Sequence, residues 1–395
     1  MLNPITFFLM LSNRTTIGLL ALSIGFASCS KDSDNMPATV QLRTKMDYVT
    51  LTATTPYTTT FKDANGAATV DVTESNQRLA MFSELNSYMA LVAVAAPATP
   101  TTLDVAKLRG LYANTGNYFA DATLNTSGLQ LRSKTAESFG TNGDAARTYI
   151  DQNITKLATI SASVNSTATA GNPGRLGRYL VDGNGVEVNQ VIQKGLIGGL
   201  LLDQIDNVLL STNALNADNT TLVTGKPYTA LEHNWDLAYG TLTKNAVMIQ
   251  DYTTTPREVF LAGYQNEKNT ANSPRVYMAF LKGRAAIINN DKTTLAAQAD
   301  IIRTELEKTI ALGATTYLVS WKNGTDLASK AHALGEGLGF IYSLRFCNGK
   351  YKADAAFSDA QLNTLLPSTQ TNGAWNMTNA QADQVIAAVT AKFSL

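Results

Sequence analysis

Val186-Glu187-Val188-Asn189-Gln190-Val191-Ile192-Gln193-Lys194-Gly195-Leu196-Ile197-Gly198-Gly199-Leu200-Leu201-Leu202-Asp203-Gln204-Ile205-Asp206-Asn207-Val208-Leu209-Leu210 is the run that decides the fold. Its apolar residues recur at helical spacing on nearly every side, and a helix that is apolar all round is buried all round. Gly195, Gly198 and Gly199 in its middle each cost about 1 kcal/mol of helix propensity. Close approach of a neighbouring helix would offset that cost, so the stretch reads as the central helix of the first half.

Helical periodicity continues on both sides. Upstream, Leu79, Phe82, Leu85 and Met89 follow three-four spacing from Thr73 onward. Further helices are expected at about 103–114, around Leu108 and Leu111, and at about 143–164, around Ile150, Ile154, Leu157 and Ile160. Downstream, helices are expected at about 228–250, from a restart at Thr255-Pro256-Arg257, and at about 274–289. They are followed by the stripe Leu295, Ala299, Ile302, Leu306 and Ile310, and, beyond the Gly324-Thr325-Asp326 turn, by a helix reaching Phe346. Thr378 with Gln381 fits a capping box that opens a last helix facing inward with Val385, Ile386, Val389 and Phe393. Strand character is confined to the lead-in, where Tyr48-Val49-Thr50-Leu51-Thr52 reads as a strand and Asn65-Gly66 as a turn. The expected fold is all-α: a helical domain over 46–395, made of two packed halves at about 73–212 and 226–395, behind a short irregular, β-containing lead-in.

Lys plus Arg (31) equals Asp plus Glu (31), so bulk charge gives no hold on nucleic acid. At the N-terminus, Arg14 precedes the apolar run Ile17 to Phe26 and then Ala27-Ser28-Cys29, the layout of a secretory signal over residues 1–28. The cysteine after Ala-Ser resembles a bacterial lipobox. That resemblance implies a lipidated Cys29, a flexible tether over 29–45 and a place at the outer membrane, facing the periplasm or the cell surface. Ser30-Lys31-Asp32-Ser33-Asp34-Asn35 is similar to the export tether of Bacteroidetes surface lipoproteins. Cys347 is the only other cysteine, so no disulfide framework is expected, and it reads as a small buried hydrophobe.

The chain has two histidines. His233 is followed by Asp236 at plus three and His332 by Glu336 at plus four, and each has a glycine at plus seven. Residues three and four apart share a helix face. If the two helices face each other, His233, Asp236, His332 and Glu336, with Glu232 as a fifth group, form a mixed imidazole and carboxylate set suited to Fe, Zn or Mn. The alternative is that both histidines are polar core groups held by neighbouring carboxylates. No His-Glu-x-x-His motif is present and no catalytic residue is assigned. Gly335-Glu336-Gly337-Leu338-Gly339 lacks the preceding strand and the lysine of a phosphate loop, and reads as a place of tight helix contact. Trp235, Trp321 and Trp375 are either core anchors or part of a sugar- or peptide-binding surface.

Glu232 to Gly240, Lys194 to Gly199, Tyr112-Ala113-Asn114 with Leu124 to Gly128, and His332 through Phe346 resemble the DUF4856 family of bacterial lipoproteins over most of residues 40–395. That family is related to the imelysin-like envelope proteins, helical bundles associated with iron acquisition and once proposed as metallopeptidases. Their Gly-x-His-x-x-Glu motif falls on His233 and Asp236, with Leu231 in the glycine's place. The resemblance implies an imelysin-like bundle, anchored in the membrane by lipid, that binds a metal ion or iron-containing ligand in support of uptake without catalysis. Two alternatives stand beside it: an interaction lipoprotein for a protein or glycan partner, and a divergent metallopeptidase.

Overall fold

The computed structural model describes residues 42–395. The expected signal segment, the expected lipidation site Cys29 and the expected tether as far as residue 41 lie outside the described residues. Where the description begins the chain is already fixed, because Arg43 is 8% exposed and donates from Nε and Nη2 to Glu232 at 3.1 and 2.9 Å. Arg43, within the stretch expected as tether, is therefore held against the helical domain.

The helices are α1 (Thr73–Met89), α2 (Val105–Ala113) and α3 (Asp144–Ser161), then a hairpin of β1 (Gly174–Leu176) and β2 (Tyr179–Val181), then α4 (Val188–Leu196). A π-helical segment over Ile197–Leu209 continues α4. Beyond it stand α5 (Ala230–Leu242), α6 (Phe260–Lys268), α7 (Ser273–Asn289), α8 (Lys292–Asn323), α9 (Leu327–Ser343), α10 (Ala355–Leu365) and α11 (Asn379–Phe393). Asp104 caps α2, Asp291 caps α8 and Asp326 caps α9, each by accepting a backbone N–H. At α11 the expected Thr378–Gln381 capping box is formed. No described helix is long and apolar enough to cross a membrane.

Three local expectations are corrected. Tyr48–Thr50 is a 3₁₀ turn, not a strand: the Asp47 carboxylate accepts the Val49 N–H at 3.0 Å, and Val49 is 82% exposed. The only named sheet among the described residues is instead the hairpin β1–β2, antiparallel with Arg175 opposite Leu180. The helix bearing His233 ends at Leu242, and Pro256 lies in the following loop, because the loop folds around buried Glu258. That carboxylate accepts Thr243 Oγ1 at 2.9 and 2.8 Å, Asn245 Nδ2 at 2.8 Å and the Ile249 N–H at 2.9 Å.

The two stretches expected as halves interlock within one compact unit. α9 packs on α4 from the first half and on α8 and α10 from the second, while α5 packs on α1, α7 and the π segment. Glycines permit the closest crossings: a Cβ on Gly339 would stand 2.5 Å from Lys194 Cβ, and one on Gly198 would stand 2.3 Å from Ser343 Cβ. The expectation that the glycines of both runs serve helix contact is met. The π geometry was not legible, since a segment apolar all round has no stripe from which to read its period. Within it Asp206 is buried with neither carboxylate oxygen partnered. Burial and the charge of Glu307 push its pKa well above the ordinary range. Glu307 accepts the backbone N–H groups of Lys350 and Tyr351 at 2.8 and 2.7 Å. We therefore take Asp206 as the member of the pair that carries the proton.

Candidate functional site: two ion clusters and a tryptophan cleft

The five residues expected to share one site fall in two places. At the start of α5, Thr229 and Glu232 form a capping box, which turns the Glu232 carboxylate inward. Arg284 of α7, fully buried, donates from Nη1 to Glu232 at 2.8 Å, from Nε to Asp236 at 2.9 Å and from Nη2 to Thr69 at 3.1 Å. Tyr57 donates to Asp236 at 2.8 Å. Burial pushes Asp236 up to about 6 against the pull of Arg284. Glu232 is also raised by burial, but Arg284 and Arg43 outweigh this and leave it below its ordinary value. His233 takes no part: it stacks on Tyr228 with ring centroids 4.2 Å apart, and burial lowers its pKa.

The second cluster joins α9 to the start of α4. His332 Nδ1 lies 2.6 Å from Glu187 Oε2, and His332 Nε2 lies 3.7 Å from Glu336 Oε2. Glu336 Oε1 takes Lys194 Nζ at 2.8 Å and the Tyr264 hydroxyl at 3.2 Å. The Tyr179 ring of β2 stacks on the imidazole at 4.3 Å, which ties the hairpin to α9. Burial alone would lower the His332 pKa, but the hydrogen bond and charge of Glu187 raise it above the ordinary value. Glu336 is lowered in spite of its burial, by Lys194 and then His332.

Neither cluster fits a divalent metal. Glu232 and Asp236 are matched by Arg43 and Arg284, and Glu187 and Glu336 face His332 and Lys194. Each cluster therefore carries its own neutralising cations. Among the described residues no group of three or more His, Cys, Asp or Glu side chains could hold a metal ion. Histidine and carboxylate do meet at His332 and Glu336, but His233 and Asp236 turn to different partners, and the two clusters do not combine.

Beside the second cluster lies a cleft of about 190 Å³. Trp321 near the end of α8, Leu334 of α9, Trp375 and Met377 line it, with Lys330 at its edge. Trp375 is held by its indole N–H, which donates to the Gly183 carbonyl at 2.9 Å, and by the Ala374 N–H, which donates to the Asn184 carbonyl at 2.8 Å. Lys330 Nζ sits 5.3 Å over the Trp321 ring. Leu176 of the hairpin forms the far wall, so the His332–Tyr179 stack positions part of the cleft. Trp235 is core: it is fully buried and donates to the Phe280 carbonyl at 2.9 Å.

Sequence reading missed Arg284, Glu187 and Lys330 and used Lys194 only in the family comparison. A signal was present for two of them. Lys194 is an isolated charge inside an apolar helical run and Arg284 runs straight into the apolar Ala285–Ile288, and a buried cation requires a buried carboxylate. Residues 56–395 match the family model described as "Domain of unknown function (DUF4856)". No curated protein and no solved structure matches the chain.

Proposed function

The chain belongs to the DUF4856 family, and from that premise we propose that it is a non-enzymatic binding protein, tethered to the outer membrane through a lipidated Cys29, with its ligand seated in the Trp321–Trp375 cleft. One observation carries this reading: two tryptophans and aliphatic side chains line a cavity beside a lysine, in a protein whose two ion clusters are closed on themselves. Aromatic side chains with a few placed polar groups in a concave site are a usual form of small-ligand recognition. In this reading both histidines are architectural. His332 braces the hairpin wall of the cleft, and His233 packs on Tyr228 away from it.

Thermal unfolding of the purified protein against a panel of small carboxylates, oligosaccharides and divalent cations tests the seat. A ligand that raises the Tm of the wild type and not that of Trp375→Phe supports the proposal. A panel whose effects are all unchanged by that substitution overturns it. Labelled palmitate incorporated by the wild type and lost in Cys29→Ala tests the anchor.

A further inference from the structure

Among the described residues, Lys330 is the only charged side chain lining the cleft. Nearby cations are paired, Lys194 with Glu336 and Lys322 with Asp383. Lys330 is half-buried, with its ammonium over Trp321, and among the described residues it makes no ion pair. A positive charge in a cleft lined by two tryptophans is an open electrostatic partner for a ligand anion.

Size and lining narrow the class further. The cavity, at about 190 Å³, is somewhat larger than the roughly 150 Å³ apolar cavity that accepts a benzene. It therefore holds one ring with a short chain. A neutral sugar needs several directed side-chain hydrogen bonds, yet among the described residues the lining offers, besides the two indoles, only Lys330 and Asn379, and the Trp375 N–H is already given to the Gly183 carbonyl. A cationic ligand would meet Lys330 head on.

We infer that the cleft selects a small carboxylate bearing one flat apolar ring, with the carboxylate on Lys330 Nζ and the ring among Trp321, Leu334 and Trp375. This deepens the binding reading above and rests on it. Calorimetric titration of the full chain compares hydrocinnamate with hydrocinnamyl alcohol, which has the same body without the charge. The acid is expected to bind about fivefold more tightly than the alcohol, the scale of a partly exposed ion pair. That preference should vanish in Lys330→Met, which keeps an apolar stem over Trp321, while Trp375→Phe weakens both compounds. Equal binding of acid and alcohol in the wild type, or a preference that survives in Lys330→Met, overturns the inference. So does failure of both compounds to bind. In each case the cleft itself is judged separately, by whether any ligand of the broader panel depends on Trp375.

Discussion

His332 and Glu187 meet at 2.6 Å between Nδ1 and Oε2, across the junction of α9 with the start of α4. Glu187 is fully buried and its other oxygen, Oε1, has no partner. The imidazole is thus the main support of that charge, and Glu187 in turn raises the His332 pKa. A group whose folded pKa is raised contributes stability that is complete below its unfolded value, near 6.5, and lost as pH rises through the folded value. Urea midpoints measured from pH 5 to 9 should therefore fall for the wild type relative to His332→Gln as pH rises above that point. Parallel curves for the two proteins would rule out this linkage.

Asp206 gives a second pH prediction at a different place. Its folded pKa is raised by burial and by Glu307, so ionising it opposes folding as pH rises above the ordinary aspartate value. Asp206→Asn keeps the shape and cannot ionise. It is expected to be more stable than the wild type at pH 8, with the advantage shrinking toward pH 4. A variant that is less stable at pH 8 would show that the ionised carboxylate is supported.

Arg284→Met should be among the most damaging single substitutions. It leaves Glu232 with Arg43 as its one cation beside the Thr229 N–H, and Asp236 with only Tyr57, both carboxylates buried. Removing one partner of a buried pair typically costs about 3–5 kcal/mol. Equilibrium denaturation checks the size of the loss, and a loss below about 1 kcal/mol would mean the cluster relaxes onto water.

The crossing of α4 and α9 predicts intolerance at Gly339. An added methyl would press on Lys194 Cβ and on the carbonyls of Gln190 and Val191, which belong to backbone and cannot swing aside. Gly339→Ala is expected to cost about 1–3 kcal/mol by overpacking, although alanine is the better helix former. A gain in stability measured by denaturant would show that the helices can separate at no cost.

Metal analysis of the purified protein after exposure to Fe, Zn and Mn is expected to find no stoichiometric ion. The carboxylates that would ligate already face Arg43, Arg284 and Lys194. One equivalent of metal, lost in His332→Ala, would reverse the assignment and place a metal site at His332 with Glu336, as expected, and with Glu187 in addition.

The sequence by itself determined the helical class, most helix positions and the use of glycine for close packing. These rest on periodicity, caps and turn residues, which act over a few neighbours. It also marked Glu232, His233, Asp236, His332 and Glu336, because each histidine has a carboxylate one helical turn further along the same face. Which partners they found was decided by tertiary structure alone. Arg284 lies 48 residues from Asp236 in the chain, and Glu187 lies 145 residues from His332. The same holds for the cleft: Trp321, Lys330 and Trp375 sit on separate elements, and only the docking of the hairpin and the 373–376 turn brings them together. Local spacing sets which way a side chain leaves its own helix. The neighbour that it meets depends on how the helices cross, and that is settled by packing of the whole core.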